Sequence, residues 1–292
     1  MGDCYICLLF GVLLGGCDGM RNGIFGLLLV VLVAGSGFAG EQFNSYAERE
    51  GIDKLVFVKR YTYQSSHYYT DHIDGCKFYG GNICQLDLKT GEVTEIVPSM
   101  ASGIFGRYDL SFDAKKIVFD WKASAREGFR IYEVNVDGTG LRQLTLPPTD
   151  EQARIAKYDN SHLGGTGDNY YHQTDDMHPC YLPDGRIVFT SSRCEFGILC
   201  DGSDILTSAV LYRINADGSD MVRLTNSSVS EFSPAVMNDG RIIYNRWEYI
   251  DKGQIGIKCL WAVRPDGTGS VEIFGNDIAL PPVFIHPRAI PG

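Results

Sequence analysis

Positive charge is scarce in this chain. Its 292 residues carry 26 Lys and Arg against 36 Asp and Glu, a net charge of −10. There is no basic run and no basic–aromatic stripe, so a phosphate-neutralising surface for nucleic acid is not expected. Beyond the first 40 residues, phosphate-cradling Gly loops of the Walker type, the dinucleotide fingerprint and a Gly-x-Ser-x-Gly nucleophile elbow are also missing. No Cys-x-x-Cys-His occurs, which excludes a covalent haem motif in this chain. Past residue 50 no long stretch repeats its apolar residues at helical spacing, so an all-α fold is excluded.

What remains points to β structure. Glycine is abundant at 34 residues and aromatics make up 12%. Aromatics favour pleated, half-buried faces and Gly favours tight turns. The first 39 residues read separately. Arg21 precedes the apolar run Ile24–Ala34, and Gly37-Phe38-Ala39 follows as a small-x-small exit. That is the layout of an export signal, with Met20 as an alternative start. Leu14-Gly15-Gly16-Cys17 is a weaker lipoprotein-like box, and an uncleaved anchor is a third reading. The expected division is a leader at 1–39 and one domain over 40–292.

Nine cysteines occur, and removal of the leader leaves six, an even number that suits disulfides after export. Cys76 with Cys84, across Gly80-Gly81, and Cys194 with Cys200, around a short loop, are the candidate pairs.

The strongest signal is a recurring phrase. Ile83–Leu88 alternates, turns at Lys89–Glu92 and returns as Val93–Val97. A unit then opens at Leu110–Phe119 and closes at Ile131–Thr145 through Asp137-Gly138. Its successors open at Tyr181–Phe189 and Val236–Tyr244. They close through Asp217-Gly218 and Asp266-Gly267. Asp-Gly suits a two-residue hairpin because both central residues need positive φ. The turns at Gly91, Gly138, Gly218 and Gly267 lie 47, 80 and 49 residues apart. The outer spacings fit four-stranded propeller blades. The wide one holds an insert, Pro147 to about Met177, that reads as loop. The expectation is an all-β propeller of four-stranded antiparallel blades, about four of them and so incomplete. The Asp-Gly turns lack the spacing and terminal Glu of a calcium loop.

Ser111-Phe112-Asp113 with Lys115–Phe119, then Tyr132–Thr145, resembles the repeat of TolB-type periplasmic propellers. Pro179–Phe189, Ser192-Arg193-Cys194 with Cys200, and Asp239–Asp251 are similar to the middle propeller domain of the hydrazine synthase alpha subunit family of planctomycetes. The resemblance runs from about Leu55 to Gly292 and implies a propeller. The family's enzyme uses covalent haem, whose attachment motif this chain lacks, so fold carries over and the chemistry does not come with it.

Three clusters bear candidate chemistry. Tyr170–Cys180 gathers His172, His178 and Cys180, residue types that ligate zinc or another transition metal. The alternative there is a polar loop leading into a blade, with Cys180 buried. Ser66–His72 places His67 and His72 on an inter-strand loop, as ligand or acid–base groups. Arg246-Trp247-Glu248-Tyr249 offers Arg246 as a carboxylate clamp with Glu248, or an ion pair with Trp247 packed between blades. The leading functional expectation is an exported binding or scaffold module for a protein or small ligand. The other is a metal- or haem-associated redox enzyme subunit. No nucleic-acid partner is expected, and a membrane contact only through an uncleaved leader.

Overall fold

The structure is a computed structural model that describes residues 4–7, 45–61, 79–124, 126–157, 173–195, 208–247, 258–275, 284 and 286–290. It contains four sheets of four strands each. Strands β1 (Cys4–Cys7), β2 (Ile52–Arg60), β3 (Gly81–Asp87) and β4 (Val93–Glu95) form the first. The second holds β5 (Ile104–Leu110), β6 (Lys116–Lys122), β7 (Arg130–Asn135) and β8 (Arg142–Gln143). In the third are β9 (Asp176–Tyr181), β10 (Ile187–Ser191), β11 (Val210–Ile214) and β12 (Val222–Arg223). The fourth comprises β13 (Glu231–Val236), β14 (Ile242–Trp247), β15 (Lys258–Val263) and β16 (Val271–Phe274).

The last three sheets are antiparallel meanders in sequence order, as the two-hairpin phrase predicts. The first differs at one edge. There β1 lies parallel to β2, with Cys7 opposite Val56, where the other sheets use an antiparallel strand of their own blade.

Alternating side chains show how the sheets stack. Ile117 and Phe119 of β6 face a core shared with Val56 and Ile83 of the first sheet, while Val118 between them joins a core with Ile187 and Phe189 of the third. Val188 in turn faces Ile242 and Tyr244 of the fourth. Period-two alternation thus sends one strand's residues into two cores, and each sheet is covered on the side where a neighbour stands. All of these side chains are fully buried, and each contributes roughly 1.5–3 kcal/mol of transfer free energy. A helical turn over 45–50 lays Ala47 against Ile52, Leu55 and Leu86 on the far side of the first sheet.

Polar bonds cross the same seams. The Tyr108 hydroxyl donates to the Val56 carbonyl at 2.6 Å, and the Tyr181 hydroxyl to Glu133 Oε1 at 2.9 Å. Arg142 donates to the Ala216 carbonyl at 2.7 Å, and Arg213 to that of Pro265 at 3.0 Å.

The Leu-Thr that ends each phrase also has a physical role. The Ile131 and Leu211 amides donate to the hydroxyls of Thr145 and Thr225 at 3.0 and 2.9 Å. In the first sheet Asn82 substitutes, accepting from the Val97 amide at 3.0 Å and donating to its carbonyl. The insert, read as loop, holds a short helix at Glu151–Ile155. Arg154 pairs with Asp150 one turn earlier at 2.8 Å, a spacing that stabilises an exposed helical turn.

Candidate functional site

In each antiparallel blade the first strand runs away from one end of the stack and the second returns to it. The connection from second to third strand and the link to the next blade therefore both open at that end. The two short turns of each blade, such as Leu182–Arg186 and Asn215–Ser219, close at the other. The described strand ends that flank 61–80, 144–175, 192–209 and 248–257 all lie at the first end. This loop-bearing end is the candidate site.

Buried charge is concentrated where the second and third blades meet there. Asp176 and Asp175 are fully buried. Arg193 grips Asp176 with two bonds, of 2.8 and 2.6 Å, and the Ser191 hydroxyl donates a third at 2.7 Å. Asp175 accepts from the Phe129 amide at 2.8 Å, while its second oxygen has no partner. Burial pushes the Asp175 carboxyl up to about 6, against the pull of Lys122. Arg130 donates to Glu151 at 2.7 Å and to the Thr174 carbonyl, which pins the short helix over the seam.

The innermost strands each carry a bulge, with His178 at φ 53° and Ser233 at φ 58°. Asp120 accepts from the amides of Arg107 and His178 at 2.7 and 2.6 Å, and burial raises it to about 6. The Ser233 amide donates to His178 Nδ1 at 3.3 Å, and Ser233 Oγ lies 3.3 Å from His286 Nδ1. His286, also at positive φ and before a proline, continues the series.

The structure separates the sequence candidates. His178 is buried within this inner-strand chain, its ring edge-on to Phe232. Cys180 is buried two residues on, its thiol pushed well up by burial and by Asp109. Asp109 itself accepts from the Tyr181 amide at 3.0 Å and from Arg288 at 3.1 Å. His172, the third proposed ligand, lies outside the described residues, as do His67, His72 and Glu248. Among the described residues no three His, Cys, Asp or Glu side chains are arranged to hold a metal ion. Cys84 and Cys194 stand as thiols, and their proposed partners Cys76 and Cys200 lie outside the described residues. Arg246 stacks its guanidinium over the Trp261 ring at 4.4 Å and lies 3.9 Å from Glu231 Oε1, while Trp247 is buried. No helix among the described residues is long and apolar enough to cross a membrane.

Asp109, Asp120, Lys122 and Glu231 were missed in the sequence. Asp120 left a signal, an acid inside the strand phrase Ile117-Val118-Phe119-Asp120-Trp121. A buried acid in a strand marks a polar junction.

No family model matches the chain, and no curated protein does either. Solved structures do. A chain of hydrazine synthase from Kuenenia stuttgartiensis superposes with a TM-score of 0.57 at 18% identity, covering 78% of this chain and 32% of that one. A putative TolB from Agrobacterium tumefaciens gives 0.46 at 18% identity, over 67% of this chain and 57% of that one. TolB from Acinetobacter baumannii gives 0.43 at 18%, over 68% and 39%. The chain thus spans between a third and somewhat over half of these proteins. At such identity a likeness conveys architecture alone. The stacked four-stranded sheets, with the likeness to the hydrazine synthase chain, make the fold that of a β-propeller.

Proposed function

We propose that this chain is an exported binding module that presents the loop-bearing end of its blades to a protein partner, with a small ligand as the lesser form of the same reading. The observation that carries it is the asymmetry of the stack: long connections and buried charge gather at one end, tight turns at the other. Scaffolds that bind through loops concentrate length and polarity in this way. Export rests on the leader layout of residues 1–39, whose removal would take β1 from the edge of the first sheet, and the pairs Cys76–Cys84 and Cys194–Cys200 would form in an oxidising compartment.

The test compares the two ends. Arg126 and Lys157 are exposed beside the long connections, and Lys115 is exposed in a turn at the far end. Extracts are passed over the intact chain, the Arg126→Glu/Lys157→Glu variant and the Lys115→Glu variant. One partner held by the intact and Lys115→Glu proteins but lost by the double variant supports the reading. Identical recovery by all three overturns it. Export is checked by N-terminal sequencing of protein recovered from a Gram-negative periplasm, which should begin near Gly40.

A further inference from the structure

The seams between blades provide an internal comparison. Between the second and third blades, Leu144-Thr145 is followed by Leu146, whose carbonyl accepts from Arg193. That guanidinium also spans the Asp176 carboxylate, so a side chain of the fold fills the space. Between the third and fourth blades the same elements recur. Leu224-Thr225 is followed by Asn226, and Glu231 takes the place of Asp176 as the first residue of an innermost strand. Here the space is open, a cleft of about 330 Å³. In sequence the position matching Arg193 is Glu248; the guanidinium of this seam comes from Arg246, stacked on Trp261 and 3.9 Å from Glu231 Oε1.

We infer that this inter-blade cleft is a binding site for a neutral, hydroxyl-rich ligand, specifically a mono- or disaccharide. Its described lining is mixed, with Leu224 beside the hydroxyl and amide groups of Thr225, Asn226, Ser227 and Ser228, and with Glu231 and Arg246 at the floor. Glu231 is 1% exposed and accepts from the Thr225 hydroxyl, so an entering anion meets a buried carboxylate. Arg246, held flat over Trp261, opposes an entering cation in the same way. Neither charge moves aside at low cost, since Glu231 is buried and Arg246 is stacked on Trp261. Sugar hydroxyls donate and accept on neighbouring carbons, which is the pattern that a Glu–Arg floor with hydroxyl and amide walls can satisfy. The volume falls in the range of small-molecule sites. The cleft lies at the seam between the third and fourth blades, apart from Arg126 and Lys157, which sit on the second blade and the insert that follows it.

The test uses glucose, maltose, cellobiose and N,N′-diacetylchitobiose as probes, with sodium phosphate and arginine amide as charged controls. Binding is read by saturation-transfer NMR and calorimetry on the full chain. Asn226 and Ser228 are exposed at the rim, so Asn226→Leu/Ser228→Leu narrows the mouth without touching the core. Circular dichroism checks that it folds. The expected result is binding of at least one neutral probe, weakened roughly tenfold or more in the rim variant and unchanged in Arg126→Glu/Lys157→Glu. Binding only of phosphate or arginine amide, no binding of any probe, or sugar binding indifferent to the rim variant overturns the proposal.

Discussion

The Asp120 carboxylate of the second blade accepts the backbone amide of His178 in the third at 2.6 Å, where the innermost strand bulges. The same carboxylate holds the Arg107 amide of its own blade, so one buried acid satisfies two bulged strands at once. Buried amides without acceptors are costly, which makes this acid a joint between blades.

Stability should depend on pH through this joint. Asp120 and Asp175 both titrate near 6 in the fold, above the 3.8 expected of the unfolded chain. The folded state therefore binds more protons between about pH 4 and pH 6, and the contribution of these groups to stability falls as pH rises through that window. Asp175→Asn keeps the acceptor for Phe129 and removes the titration, so its urea midpoint should fall less from pH 4.5 to 7 than that of the parent. An unchanged slope would show that Asp175 does not titrate there.

Glycines in the two kinds of turn should behave differently. Gly218 has φ 87°, and an added Cβ would press on the Leu144 carbonyl oxygen of the preceding blade. Gly185 has φ 83° with open space around it. Gly185→Ala should cost about 1 kcal/mol of backbone strain. Gly218→Ala adds a clash at a seam and should cost at least about twice that. Chemical denaturation of the two variants measures the difference, and equal losses would remove the seam contribution.

Thr145→Val should destabilise by about 1–3 kcal/mol, because it leaves the buried Ile131 amide without its acceptor. Thr145→Ser keeps the oxygen and should recover most of the loss. Thermal unfolding of the pair decides this, and equal losses would assign the effect to the methyl group instead.

Burial pushes the Cys84 thiol up to about 12 and Cys180 well above its usual value. Neither should react with iodoacetamide at pH 8 in the folded protein, since the thiolate is the nucleophile. In urea Cys180 should label directly, and Cys84 directly in protein made under reducing conditions, read by mass spectrometry of peptides. Cys180 labelled in the folded state would contradict its burial. A Cys84 peptide that labels in urea only after reductant would identify a disulfide.

The blade pattern was legible because Asp-Gly turns and alternating strands are local signals. It even survives at Ala114, which takes φ 55° where the other blades use Gly185 and Gly240. Those two turns stand in open space, so a methyl group meets nothing. At Gly138 and Gly267 the added Cβ would come 2.8 Å from the carbonyls of Ile96 and Leu224, and there the glycine stays. The polar joints were less legible. His178 and Cys180 share a strand with a candidate metal cluster in sequence, but their neighbours Ser233, Asp109 and Arg288 come from distant positions. Arg246 was read against Glu248, which lies outside the described residues, and the described carboxylate opposite it is Glu231, its cross-strand partner. Short-range spacing cannot reveal a partner that pairing register supplies.

The middle strands β6 and β10 serve two cores at once through odd and even side chains. A slip of one residue in either would exchange those sets and spoil both cores together. Misalignment therefore carries a double penalty in the central blades, and these two strands act as proofreaders for the assembly of the whole stack.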